Sequence, residues 1–361
     1  MKLIILYAMV GLLLCCRGLA GDNMTRPQDL RDIIGAAHVA GKYNFTKEDY
    51  LNEGAERLLA LGCRVIKLWF TPNPSKDYPF NSEWPKFDNW VDLAKTEYYQ
   101  KVFAKPFTTF ILEAFPPNDA NYVDGMTASE IKRTKASAYE LTKYLLTKYQ
   151  GTGKTFILQN WEGDWILTNP QFTKEPSPAT IQGMIDWLNA RQDGIEQARN
   201  EVGMKGVVVA HAAEANLVDR AMQGKITVTN NVIPKTHCDL YSYSAYDTIF
   251  QGPEKFRKAL DYLASKAPPS KLYGKQNIYI GEFGAPENEM DQGRITKQVV
   301  ETALSWGARY IVYWEVFCNE PANQDWKDRP ENKDMRGFWL IRPDGTKSPA
   351  HNYLWKLLNG K

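Results

Sequence analysis

The sequence predicts an α/β protein, a single-domain (β/α)8 TIM barrel, and three observations predict it. Apolar runs of strand length alternate with amphipathic helical stretches, and eight such runs can be placed. The runs are almost continuously β-branched or aromatic, as strands buried on both faces require. Length agrees: past residue 20 about 340 residues remain, enough for a barrel of roughly 250 residues with long loops. No Pro/Gly/Ser linker, charge block or internal repeat divides residues 21–361, so one domain is expected there.

The first 20 residues are read differently. Lys2, an apolar run from Leu3 to about Cys16, and small residues at Gly18 and Ala20 give the pattern of a secretory signal peptide cut after Ala20. The run falls short of the roughly 20 apolar residues of a membrane span. A secreted chain without stable membrane insertion is therefore expected. In that setting Asn23-Met24-Thr25 and Asn44-Phe45-Thr46 are glycosylation acceptors, and the protein is expected to be a glycoprotein.

The elements follow in chain order. Strands are expected at 32–37, 65–70, 107–115, 155–160, 206–211, 239–244, 277–282 and 310–315. Between them, Thr46 reads as the N-cap of the first helix. Thr127 with Glu130 forms a capping box before Ile131, Ala138, Leu141 and Leu145, which share one helical face. Ser177-Pro178 gives an N-cap and N1 proline before Ile181, Met184, Ile185 and Leu188, and Gly203 closes that helix. Ile295, Val299, Ala303 and Leu304 mark a helix ended by Gly307, and Ser348-Pro349 opens the last one.

Composition removes some functions. A net charge of only +2 with scattered basic residues lacks the electrostatic footprint of a nucleic-acid binder. Four histidines without HxH or HExxH spacing argue against a metal-dependent barrel hydrolase, so no metal and no cofactor are expected. His237, at the start of the sixth strand, belongs to the opposite end of the barrel from the site. Cys63, Cys238 and Cys318 allow at most one disulfide past the signal, and sequence does not choose the pair. Eleven tryptophans are compatible with surfaces that stack on sugar rings.

Two runs carry the chemistry. LQNWEGDW at 158–165 and IYIGEFGAPE at 278–287 each place a glutamate just past an apolar strand, Glu162 and Glu282. Strand ends converge at the C-terminal face of a barrel, where active sites form. Cleavage of a glycosidic bond needs one carboxylic acid to protonate the leaving oxygen and one carboxylate on the other face of the sugar. Gly281 and Gly284 flank Glu282, allowing close approach of backbone and ligand. Pairing with Arg64 or Lys67 is its purely structural alternative.

The GEFG context resembles the clan A glycoside hydrolases, the (β/α)8-barrel group of cellulases and mannanases, with acid/base at strand 4 and nucleophile at strand 7. The resemblance implies Glu282 as nucleophile and Glu162 as acid/base, a carbohydrate substrate, and a retaining double displacement. In that clan an asparagine directly precedes the acid/base and contacts the sugar; here Trp161 separates Asn160 from Glu162, and Asp164 is the alternative acid. Tyr246 and Tyr243 in SYSAYD stand where a hydrogen-bond donor to the nucleophile is expected, with Ser244 at a frequent histidine position. Trp314 matches the aromatic on which the sugar stacks. His38, Lys67, Trp69 and Glu113 near early strand ends, and His211 and Glu214 after the fifth, are candidate hydroxyl binders. A catalytically inactive carbohydrate-binding barrel is the rival reading, since fold does not fix activity.

Overall fold

The computed structural model describes residues 24–115, 122–168, 175–323 and 328–361. The expected signal segment, the expected acceptor Asn23, Cys15 and Cys16 lie outside them. Eight parallel strands close into a barrel in sequence order: β1 (Ile34–His38), β2 (Val65–Phe70), β3 (Thr109–Ala114), β4 (Lys154–Gln159), β5 (Val207–Ala215), β6 (Leu240–Ser244), β7 (Ile278–Phe283) and β8 (Ile311–Tyr313). Ile34 opposite Ile311 joins the last strand to the first. Most expected strands fall within one or two residues of these bounds. β5 runs to Ala215, so His211 lies inside it, and β8 stops at Tyr313.

Helices cover the barrel: α1 (Tyr50–Leu61), α2 (Glu97–Ala104), α3 (Ala128–Lys148), α4 (Pro178–Val202), the short α5 (Val218–Met222), α6 (Pro253–Lys266), α7 (Gln292–Trp306) and α8 (Pro349–Leu358). Their ends follow local chemistry. Thr127 and Glu130 make the reciprocal capping box of α3, while Ser177 and Ser348 cap α4 and α8 ahead of N1 prolines. Gly307 ends α7 in the left-handed conformation, at φ 96°, that a residue lacking Cβ adopts at no steric cost. The N-cap of α1 is Asp49, whose carboxylate accepts the Asn52 N–H, and not Thr46, whose hydroxyl accepts the Glu48 N–H. Asn44 lies half-buried in the β1–α1 loop, on the C-terminal side of the strands.

The lower, N-terminal face is tied by Arg64, which bonds Asp29 and Asp32 at 2.7 Å and is therefore remote from Glu282. His237 pairs with Asp193 at the same end. Cys63, Cys238 and Cys318 are buried free thiols. Among the described residues no helix is long and apolar enough to cross a membrane.

Candidate active site

Interior side chains alternate along each strand until the upper rim, where β4 and β7 break the alternation. On β7, Ile280 faces Tyr243 of β6 while Glu282 faces Ser244, so one extra residue enters β7. Such a bulge re-aims the side chains around it. Tyr279 points inward and donates to Gln159 Oε1; a Cβ on Gly281 would strike Ser242 Oγ and Glu214 Oε2. The bulge lets Glu282 join this inward set one residue later. A Cβ on Gly284 would meet the Trp314 carbonyl oxygen at 2.4 Å. Both glycines thus serve packing between strands, and the expected room for a ligand is corrected.

β4 ends at Gln159, and the chain past it is fixed by three bonds. Asn160 Nδ2 donates to Trp161 O, its Oδ1 accepts the Glu214 N–H, and the Glu162 N–H donates to Glu214 Oε1. Trp161 turns to the rim and Glu162 faces the cavity. Asn160 is buried with its amide engaged by backbone, which corrects its assignment to substrate. Asp164 is likewise no acid: its carboxylate accepts N–H groups of Asn216, Leu217 and Val228 at 2.7–3.1 Å and is buried away from the cavity.

Glu162, Glu282, Tyr246, Trp161 and Trp314 line one cavity of about 690 Å³ at the mouth. Beneath it lies a buried ionic cluster. Lys67 Nζ is 2.8 Å from Glu113, 3.1 Å from Glu282 and 3.6 Å from Glu214, and also donates to Gly281 O. Gln159 Nε2 bridges Glu113 and Glu214, and Ser242 donates to Glu214. Lys67 is therefore a partner of carboxylates and not a hydroxyl binder. The carboxylate oxygens of Glu113, Glu214 and Glu282 lie within 4.8 Å of one another, a spacing that suits a cation, and the Lys67 ammonium already supplies one there.

Three carboxylates and one ammonium cannot all ionise cheaply in a buried site. Burial pushes Glu282 up to about 7 against the pull of Lys67, with Glu214 adding to the rise; burial does the same to Glu113, also to about 7. Burial draws the Lys67 ammonium down, but Glu113, Glu214 and Glu282 together hold it well above its ordinary value. Glu162 has no such close cation. Burial and the Glu282 charge raise it well above the carboxylate range, against the 2.7 Å hydrogen bond that Ser244 donates to it. Tyr246 makes no hydrogen bond of good geometry, yet its hydroxyl is among the influences that lower Glu282.

Other expected binders lie elsewhere. Tyr243 faces the helices, its hydroxyl on Asp247 and Thr248 and its ring near Phe256. His38 is packed among Tyr50, Tyr78 and Phe317 beside Gly54 of α1, its Nε2–H donating to Tyr50 O, and burial lowers it to about 4. His211 is buried in β5, and Glu113 and Glu214 belong to the ionic cluster. Trp69 is half-buried, its ring 5.4 Å from that of Trp314. Sequence reasoning missed Trp165, Leu217, Phe250, Met290, Glu320 and Arg336, all on the cavity wall. Their positions in loops after β4 to β8 were the available signal.

The fold and site define a class, the eight-stranded parallel barrel with paired carboxylates at its C-terminal mouth. Solved structures similar to this chain are glycoside hydrolases of families 5, 26 and 39, of clan A. A family 5 xyloglucanase from Paenibacillus pabuli aligns with 92% of this chain and 99% of its own, at TM-score 0.51 and 10% identity. A modular endo-β-1,4-mannanase from Cellulomonas fimi aligns over 91% and 70%, at 0.51 and 10%. A family 39 β-xylosidase from Caulobacter crescentus aligns over 93% and 72%, at 0.50 and 14%. At such identity the likeness is one of fold. No protein-family model and no curated protein matches the sequence.

Proposed function

We propose that the protein is a secreted, retaining glycoside hydrolase in which Glu282 attacks the anomeric carbon and Glu162 protonates the leaving oxygen. The observation that carries this is the unequal setting of two glutamates on one cavity: Glu282 is buried with Lys67 at 3.1 Å, whereas Glu162 is half-buried with a serine hydroxyl as its partner. Two carboxyls in one site with environments that separate their ionisation take the base and acid roles. Glu162 is the carboxyl pushed toward its protonated form, the form the leaving group needs, and Lys67 favours the carboxylate form of Glu282.

In the first step Glu282 forms a glycosyl ester while the Glu162 proton passes to the departing oxygen. Esterification removes the negative charge of Glu282, which is one of the forces holding Glu162 protonated. Glu162 then becomes a base and takes a proton from water, whose oxygen attacks the anomeric carbon and frees Glu282. Lys67 keeps Glu113 and Glu214 beside it throughout. Trp314, with Trp69 beside it, offers the sugar an apolar face.

A screen of aryl glycosides tests the reading. Glu282→Gln should lose essentially all turnover. Glu162→Ala should keep the first step on activated aryl leaving groups, and azide should restore its turnover. Proton NMR should find the first product with the anomeric configuration of the substrate. Full activity of Glu282→Gln would overturn the assignment, and sugar binding without turnover in the parent would return the inactive binding protein. N-terminal sequencing of exported material should begin near Gly21.

A further inference from the structure

The catalytic reading fixes which side of the cavity the leaving group occupies, because Glu162 must touch the oxygen that departs. That side is walled by the loops after β4, β5 and β6, and its surfaces are Trp161, Trp165, Leu217 and Phe250, with Met290 from the β7 loop at the edge. We propose that this half of the cavity takes an apolar aglycone, an alkyl or aryl group, in place of a second sugar. The proposal rests on the catalytic reading for its orientation.

Two observations distinguish an apolar group from a sugar. Aromatic faces alone do not, since they stack on both. First, the wall includes the aliphatic side chains Leu217 and Met290, and its rim is unusually bare. Phe250 is 44% exposed, Met290 39% and Trp161 37%, three of the six exposed large hydrophobic residues among the described ones, all facing this cavity. Second, the acceptor oxygens of Asn216 and Asp247 on this wall are engaged internally. Asn216 Oδ1 accepts the Asp164 N–H at 2.9 Å, and the two Asp247 oxygens accept the Tyr243 hydroxyl at 2.5 Å and the Asp219 N–H at 2.7 Å. A second sugar entering here would give up water from its hydroxyls without acceptors of matching number, a cost that an alkyl chain or phenyl ring does not carry. The glycone side differs in carrying an ion pair on the cavity wall: Glu320 with Arg336, at 2.7 Å, borders Trp314.

Binding to the Glu282→Gln protein, read by tryptophan fluorescence and calorimetry, tests this without turnover. The probes are methyl, butyl and hexyl β-glucosides below their micelle concentrations, phenyl β-glucoside, cellobiose and cellotriose. Affinity should rise about two- to four-fold per added methylene, and hexyl or phenyl glucoside should outbind cellobiose; which of the two gains more separates an alkyl from an aryl aglycone. The additional exchanges Phe250→Ser and Met290→Ser, at exposed rim positions, should flatten the chain-length series while leaving methyl glucoside affinity within two-fold. No gain along the alkyl and phenyl probes, whether from equal binding or from no binding, overturns the proposal, as does a series that tightens with sugar units instead. A clear chain-length gain combined with an inert parent enzyme would sink the catalytic reading alone, and turnover with a flat series would sink the apolar aglycone alone.

Discussion

Among the described residues Lys67 is the one ammonium facing Glu113, Glu214 and Glu282, so the ionisation of Glu282 belongs to the cluster and not to one pair. The pH dependence of kcat/KM should reflect it. Glu282 is raised to about 7, so activity should fall as pH drops below about 7 and the nucleophile gains a proton. Glu214→Gln removes a like charge and should move that limb to lower pH; a limb that stays in place would mean Glu214 does not act on Glu282. Removing the cation is a harsher change. Lys67→Met strands buried carboxylates and should cost about 3–5 kcal/mol in chemical denaturation. The sequence placed Lys67 near a strand end and named it as a structural partner for Glu282. It gave no sign that Glu113 and Glu214 meet at the same point, because no local pattern records a contact across the barrel.

The strands were legible because burial on both faces leaves long apolar runs, and the helices because capping is local chemistry. Alternation places Tyr243 only once its neighbours are seen: Ser242 and Ser244 both bond interior glutamates, so Tyr243 between them faces the helices and not, as its sequence context suggests, the nucleophile. Alternation fails where the site is built. Glu282 follows an extra residue in β7, and Glu162 follows a turn held by Asn160 and Glu214. Neither irregularity has a signature in one sequence beyond the glycines around Glu282. Gly281→Ala tests this element directly. Its methyl would press on Ser242 and Glu214 inside a closed barrel, and the displacement should cost about 1–3 kcal/mol of stability. Because Glu214 also holds the Glu162 N–H, kcat should fall together with stability. A variant with parent stability and kcat would show that the close packing at Gly281 is dispensable.

For the whole molecule, the buried carboxylates make stability depend on pH in a direction opposite to that of the surface. Asp29, bonded by Arg31 and Arg64, is held well below the usual carboxylate range; the stability it lends is present above its ordinary pKa and is lost as pH falls through the lowered value. Glu113 and Glu282 are raised from 4.5 to about 7 chiefly by burial. The unfolded chain releases these protons earlier, so the stability they lend is complete below about 4.5 and is lost as pH rises through about 7. The fold should therefore weaken between pH 5 and 8, where proteins with only solvated carboxylates are near their most stable. Glu113→Gln isolates the effect, since the amide can still accept from Lys67 but has no proton to lose. The melting temperature of this variant relative to the parent should climb from pH 5 and level off above about pH 7. A constant difference across that range would mean that Glu113 is ionised in the folded protein throughout, and that the cluster carries its excess negative charge without a shared proton.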